Sequence, residues 1–156
     1  MEILQRMAAY AADFEKTYLD DDWTRLEPYF HEDAVYEVRG DVAWACTLRG
    51  RDAIFRGIKR SLDGFDRRFA SRELEPDAPP VVEGNRVSFG GTATYLKDDL
   101  PPLHLRLSEI LEFDGDRISK LIDVYDERAL PAIEWLEAHG EGFDPAYVDP
   151  GSDGAD

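Results

Sequence analysis

Cysteine is nearly absent: Cys46 is the only one. A lone thiol closes no intrachain disulfide, so a disulfide-stapled scaffold is excluded and a reducing compartment is expected. The ordinary role of such a residue is that of a small packed hydrophobe. Positive charge is also scarce, with 18 Lys and Arg against 34 Asp and Glu and a formal net charge of −16. A chain this acidic repels phosphate backbones and anionic headgroups, which argues against nucleic acid and membrane surfaces as partners. No apolar run has the length of a membrane span. The segment Met1–Arg6 has neither the apolar stretch nor the small-residue cleavage site of a secretory leader, and the expected location is the cytoplasm. His31, His104 and His139 share no ligand spacing, so no metal site is expected. A glycine-rich phosphate loop and a Gly-x-Ser-x-Gly elbow are both missing, which leaves nucleotide chemistry and serine hydrolysis without support.

What is present suits one domain. The chain has 156 residues, 43% of them hydrophobic and 12% aromatic, enough for a core without covalent staples. Ile3, Met7, Tyr10, Phe14 and Tyr18 recur at helical spacing, and Asp20-Asp21-Asp22 breaks that helix and caps a short second one holding Trp23, Leu26 and Tyr29. A strand is predicted from Ala34 to Arg39. Residues 40–50 read equally as strand or loop. A third helix opens at Arg51-Asp52 and runs to about Phe65. A meander of strands follows, over Phe69–Glu75, Pro80–Glu83, Arg86–Lys97, Leu103–Phe113 and Arg117–Asp126. Glu83-Gly84-Asn85 and Asp114-Gly115-Asp116 serve as its hairpin turns. A last short helix covers Ala129 to His139, with Pro131 in its first turn and Gly140 past its end.

Helices first and antiparallel strands after predict an α+β fold. Three N-terminal-side helices would pack on a strongly curved, mostly antiparallel sheet, forming a cone whose mouth is a natural ligand site. The domain would span residues 1–140. Residues 141–156 form an acidic Gly-, Pro- and Asp-rich tail, expected to be mobile or loosely draped and dispensable for folding beyond Gly142.

Strand alternation singles out the candidate chemistry. Leu105, Leu107, Glu109, Leu111 and Phe113 share one face of their strand, and Leu121, Asp123 and Tyr125 share one face of the next. If the turn between them keeps both apolar faces inward, Glu109 and Asp123 become neighbours in an apolar setting. Lost solvation and mutual repulsion would then raise their pKa values, and the pair could hold one proton and act as acid and base. The opposite face, with His104, Arg106, Ser108 and Ile110, is the expected interface of a homodimer. Residues 49–72 form a basic island that reads either as a site for an anion or a partner's acidic patch, or as a solvated helix face balancing local acid.

Four segments resemble the nuclear transport factor two superfamily in its SnoaL-like branch, which includes polyketide cyclases, ketosteroid isomerase and limonene epoxide hydrolase. They are Asp22-Trp23-Thr24-Arg25-Leu26 leading to Tyr29-Phe30-His31-Glu32-Asp33-Ala34-Val35-Tyr36; Leu48-Arg49-Gly50-Arg51-Asp52-Ala53-Ile54; Ile110-Leu111-Glu112-Phe113-Asp114-Gly115-Asp116-Arg117-Ile118; and Asp123-Val124-Tyr125-Asp126. The resemblance spans residues 3 to about 139. It implies a pocket for a small hydrophobic molecule, no cofactor, and frequent dimerisation through the sheet. Asp123 falls where limonene epoxide hydrolase has its water-activating aspartate, and Tyr36 where it has a water-positioning tyrosine. Val38 replaces that enzyme's asparagine, and Val87–Ala93 lacks its Arg-x-Asp. Glu109 falls where ketosteroid isomerase keeps a protonated acid, whereas Val38 and Phe14 stand at its general-base and tyrosine positions. The resemblance thus implies an isomerase, dehydratase, cyclase or hydrolase with Asp123, Glu109 and Tyr36 as catalytic residues. Phe14, Val38, Leu105, Leu107, Leu121 and Tyr125 would line the pocket. The alternative is a non-catalytic ligand-binding or homodimeric interaction domain of the same fold, because this superfold hosts unrelated activities.

Overall fold

The computed structural model describes residues 2–149. Helix α1 (Ile3–Asp20) leads through a 3-10 turn at Trp23–Tyr29 into strand β1 (Phe30–Gly40), which forms a hairpin with β2 (Cys46–Arg49). Helix α2 (Arg51–Gly64) and a 3-10 turn at Asp66–Arg68 precede β3 (Ser71–Pro76) and β4 (Val81–Glu83). The long strands β5 (Arg86–Leu96), β6 (Leu103–Asp114) and β7 (Arg117–Tyr125) follow, and α3 (Leu130–His139) closes the domain. The segment 40–50, open between strand and loop in the sequence, is therefore a hairpin connection plus a short edge strand.

The seven strands form one mixed sheet in the order β2-β1-β7-β6-β5-β3, with β4 also paired to β5. The β5, β6 and β7 meander is antiparallel as expected, and Gly84 in the β4–β5 turn and Gly115 in the β6–β7 turn adopt positive φ. The parallel pairing of β1 with β7 is not part of a meander and sets the site. It inserts β1 beside the last strand, with Tyr36 opposite Leu121 and Val38 opposite Asp123.

Two irregularities explain where the sequence pattern misses an edge. β1 begins at Phe30 rather than Ala34, because its register against β7 slips between Phe30 and Val35 and the slip interrupts the period-two alternation. On β7 the register shifts opposite Glu112 and Phe113, leaving Ser119 as an extra residue whose hydroxyl donates to the Glu112 carbonyl. Ile118 and Leu121, of unlike parity, are both buried as a result.

The core forms two clusters. One joins α1, α2, β1, β6 and β7 through Tyr10, Phe30, Tyr36, Ile54, Leu111 and Ile118. The other gathers Phe65, Phe69, Tyr95, Leu103 and Trp135 under α3. Most of the basic island is consumed by ion pairs. Lys59 and Arg67 bind Asp63 and Asp21, Arg72 binds Glu15, and Arg60 binds Asp144 and Asp149. Of its two readings, the structure favours the helix face that balances local acid.

The tail up to Asp149 lies on α2. Arg60 donates to the Ala146 carbonyl and to the carboxylates of Asp144 and Asp149, at 2.7–3.0 Å. Ser61 donates to the Pro145 carbonyl, and the Asp144 amide to that of Gly64. A Cβ on Gly64 would collide with the Asp144 carbonyl oxygen, so glycine is what permits this approach. Phe143 stacks on Phe69 at 4.7 Å between centroids.

Candidate active site

A cavity of about 800 Å³ takes walls from both core clusters. Its β6 wall is written in the burial pattern. Leu103 and Leu111 are fully covered, whereas Leu105, Leu107 and Glu109 between them keep surface open to the cavity. Phe14, Leu121 and Tyr125 join them, so five of the six expected apolar contacts line the cavity with the acid pair. Val38 does not. It shares the face of Tyr36, but the β1–β2 hairpin pairs it with Cys46 and it is consumed by core packing.

Glu109 and Asp123 are direct register partners on β6 and β7. Antiparallel partners project to the same face, so both carboxyls meet at the cavity wall. Tyr36 reaches them across the parallel seam, its hydroxyl donating to Asp123 Oδ2 at 2.5 Å. Asp123 is 6% exposed, and no N–H, alcohol or phenol hydroxyl among the described residues donates to its Oδ1. Burial, then the charge of Asp123, pushes Glu109 well above the usual carboxyl range. Burial also pushes Asp123 up, against hydrogen bonds from Glu109 and Tyr36 that hold it down. The two carboxyls therefore differ. Asp123 is the less perturbed of the two, because those hydrogen bonds oppose the effect of its burial. No Lys, Arg or His pairs with either among the described residues.

Aromatic groups surround the pair. Tyr147 stands edge-to-face with Tyr36 at 5.3 Å, and Trp44 with Tyr125 at 5.4 Å. Tyr10 faces the same carboxyls from α1, and burial and their charge raise its pKa. Sequence reasoning missed these residues for distinct reasons. Tyr10 sits in a helical stripe that reads as core, Trp44 in the unassigned segment, and Tyr147 in the tail, where only its aromatic character within a polar run could have flagged it. A second polar group was also missed. Tyr95 donates to Asp66 at 3.0 Å, and Arg72 bridges Asp66 and Glu15 at the same cavity. Burial leads the causes that raise Asp66.

The sequence profile of the SnoaL-like domain matches residues 9–121. The chain belongs to the SnoaL-like domain family. No curated protein matches it. Among solved structures it is similar to TerC, co-crystallised with polyporic acid, at 19% identity and TM-score 0.62 over 86% of this chain and 98% of that one. It is also similar to an LEH-like epoxide hydrolase of M. tuberculosis, at 18% identity and TM-score 0.58 over 86% and 94% of the two chains. A third is a protein of ketosteroid isomerase-like fold from Catenulispora acidiphila in complex with trimethylamine, at 17% identity and TM-score 0.57 over 77% and 87%. Identities this low establish the shared fold, and the fold's relatives include both small-molecule enzymes and ligand binders. No helix among the described residues is long and apolar enough to cross a membrane.

Proposed function

We propose that this SnoaL-like domain is a cofactor-independent acid–base enzyme acting on a small, largely hydrophobic molecule held in a cone formed by its sheet and helices. The observation that carries this reading is the Glu109–Asp123 register pair, paired with no Lys, Arg or His among the described residues and bound by Tyr36, on the wall of a mainly apolar cavity. Asp123 is the base: it takes a proton from an activated carbon or from water. Glu109 is the acid and hands its proton to the oxygen on which charge develops. Tyr36 holds the Asp123 carboxylate in place. A pair whose environments drive two pKa values apart is suited to this division of work. Isomerisation, dehydration, cyclisation and water addition all use these two transfers.

The second reading, a binding domain without turnover, is favoured by Val38 and Phe14, apolar at positions where the resembled enzymes carry catalytic groups. Solvent exchange separates the two. Cyclic ketones of one to three rings are incubated with the protein in heavy water and followed by proton NMR. We expect exchange at the carbon beside the carbonyl, lost in Asp123→Asn. Ketones that bind without exchange would establish the binding domain instead.

A further inference from the structure

We propose that the ligand of this cavity is a hydrophobic cation, an amine or iminium carried on an apolar ring body, with its charged nitrogen against Asp123. The inference rests on the reading of the cavity as a ligand site and names the class of molecule it selects.

The first observation is the charge of the wall. Glu15, Asp66, Glu75, Glu109 and Asp123 line the cavity, and Arg72, paired with the first two, is the one basic residue among the described lining. Arg72 is already neutralised by two carboxylates: its terminal nitrogens donate to Glu15, at 2.8 and 3.3 Å, and its Nε lies 3.2 Å from Asp66 without a hydrogen bond. A carboxylate or phosphate entering the cavity therefore meets no free cation. The protein's net charge of −16 works in the same direction, since its field draws cations inward and turns anions away.

The second observation concerns Asp123 itself. It is more than nine-tenths buried, it lines the cavity, and its Oδ1 lacks a hydrogen bond from any nitrogen or hydroxyl. No Lys, Arg or His among the described residues pairs with it. A buried anion without a countercharge is costly, and a ligand nitrogen bearing N–H groups supplies both the charge and the donor.

The third is the aromatic wall. Tyr36, Tyr125, Tyr147, Trp44 and Tyr10 line the same cavity as the acid pair, and aromatic rings attract cations that come within about 6 Å of a ring face when water is excluded. Leu105, Leu107 and Phe14 accommodate the apolar body. With the nitrogen so placed, Asp123 faces the adjoining carbon, whose proton an iminium acidifies as a carbonyl does.

The test is a shape-matched ligand set: cyclohexylmethylamine, cyclohexylmethanol and cyclohexanecarboxylate, titrated calorimetrically into the full chain and into Asp123→Asn. The amine should bind about tenfold or more tighter than the alcohol, and the carboxylate weakest. Asp123→Asn should bring amine and alcohol to similar affinity while keeping alcohol binding. If amine and alcohol bind the wild type equally, the inference is overturned and the acid–base reading stands. If none of the three binds, both fall. The wild-type series decides the matter even if the variant does not fold.

Discussion

Replacing Glu109 with Gln tests the acid pair without reference to any substrate. In the unfolded chain both carboxyls ionise at their ordinary values, near pH 4. Folding raises both, Glu109 most, through burial and then through the charge of Asp123. Between the ordinary and the raised value the folded protein holds a proton that the unfolded chain has released. Stability from this source is greatest on the acid side, declines as pH rises through that window, and levels off above the raised value. The decline is about 1.4 kcal/mol per pH unit for one proton held across that window. A domain of ordinary stability has only about 5–15 kcal/mol to lose, so the slope is measurable.

Glu109→Gln removes the titration and keeps the shape, and its amide can donate to Asp123 as the protonated acid does. Relative to wild type, the variant should gain stability as pH rises from 5 through that window, by at most about 1.4 kcal/mol per pH unit. The general loss of stability from net negative charge is common to both proteins and cancels in the difference. Surface carboxylates held below their usual range, such as Asp20 beside Arg25, lose their contribution only at more acidic pH. Urea unfolding followed by tryptophan fluorescence at pH 5, 6, 7 and 8 gives the two curves. Curves that stay parallel, or a variant that weakens as pH rises, would refute a protonated Glu109 and with it the acid in the proposed mechanism.

Tyr36→Phe leaves Asp123 Oδ2 buried without its donor, and should cost about 1–3 kcal/mol by thermal unfolding and abolish exchange in the heavy-water assay. Truncation after Gly142 removes the Phe143 stack, Tyr147 and the carboxylates that bind Arg60. We expect a clear fall in melting temperature, at roughly 2–4 °C per kcal/mol, where composition alone predicts none. Gly64→Ala should reproduce part of that loss by pushing the Asp144 carbonyl away, and an unchanged melting point in both variants would mean the tail contributes nothing to folding. A homodimer through the outer face of β6, where Ile110 lies beside the buried Ile122, should give a dimer mass by light scattering at micromolar concentration.

Much of this protein was legible in its chain because the signals are local. Helical spacing from Ile3 to Tyr18, turn chemistry at Gly84 and Gly115, and alternation along β6 and β7 are short-range patterns, and the elements follow them to within a few residues. The pairing of Glu109 with Asp123 was legible for the same reason: one tight turn joins their strands, so register and face propagate directly from it. Where two residues of unlike parity both had to face inward, as at Ile118 and Leu121, alternation stopped short, because a bulge leaves no fixed mark in composition.

Long-range placement was decided by the tertiary structure alone. Nothing local in Phe30–Gly40 says that it lies parallel to a strand some eighty residues later, yet that pairing brings the Tyr36 hydroxyl to Asp123 and leaves Val38 in the core. The same holds for the tail. Its Gly, Pro and Asp content reads as solvated chain, but Arg60 supplies the countercharge, Gly64 the room and Phe69 the stacking surface, each from a distant part of the sequence. Local propensity measures what a segment can do alone, whereas the neighbours that hold Tyr36 and Tyr147 at the cavity exist only once the whole chain has folded.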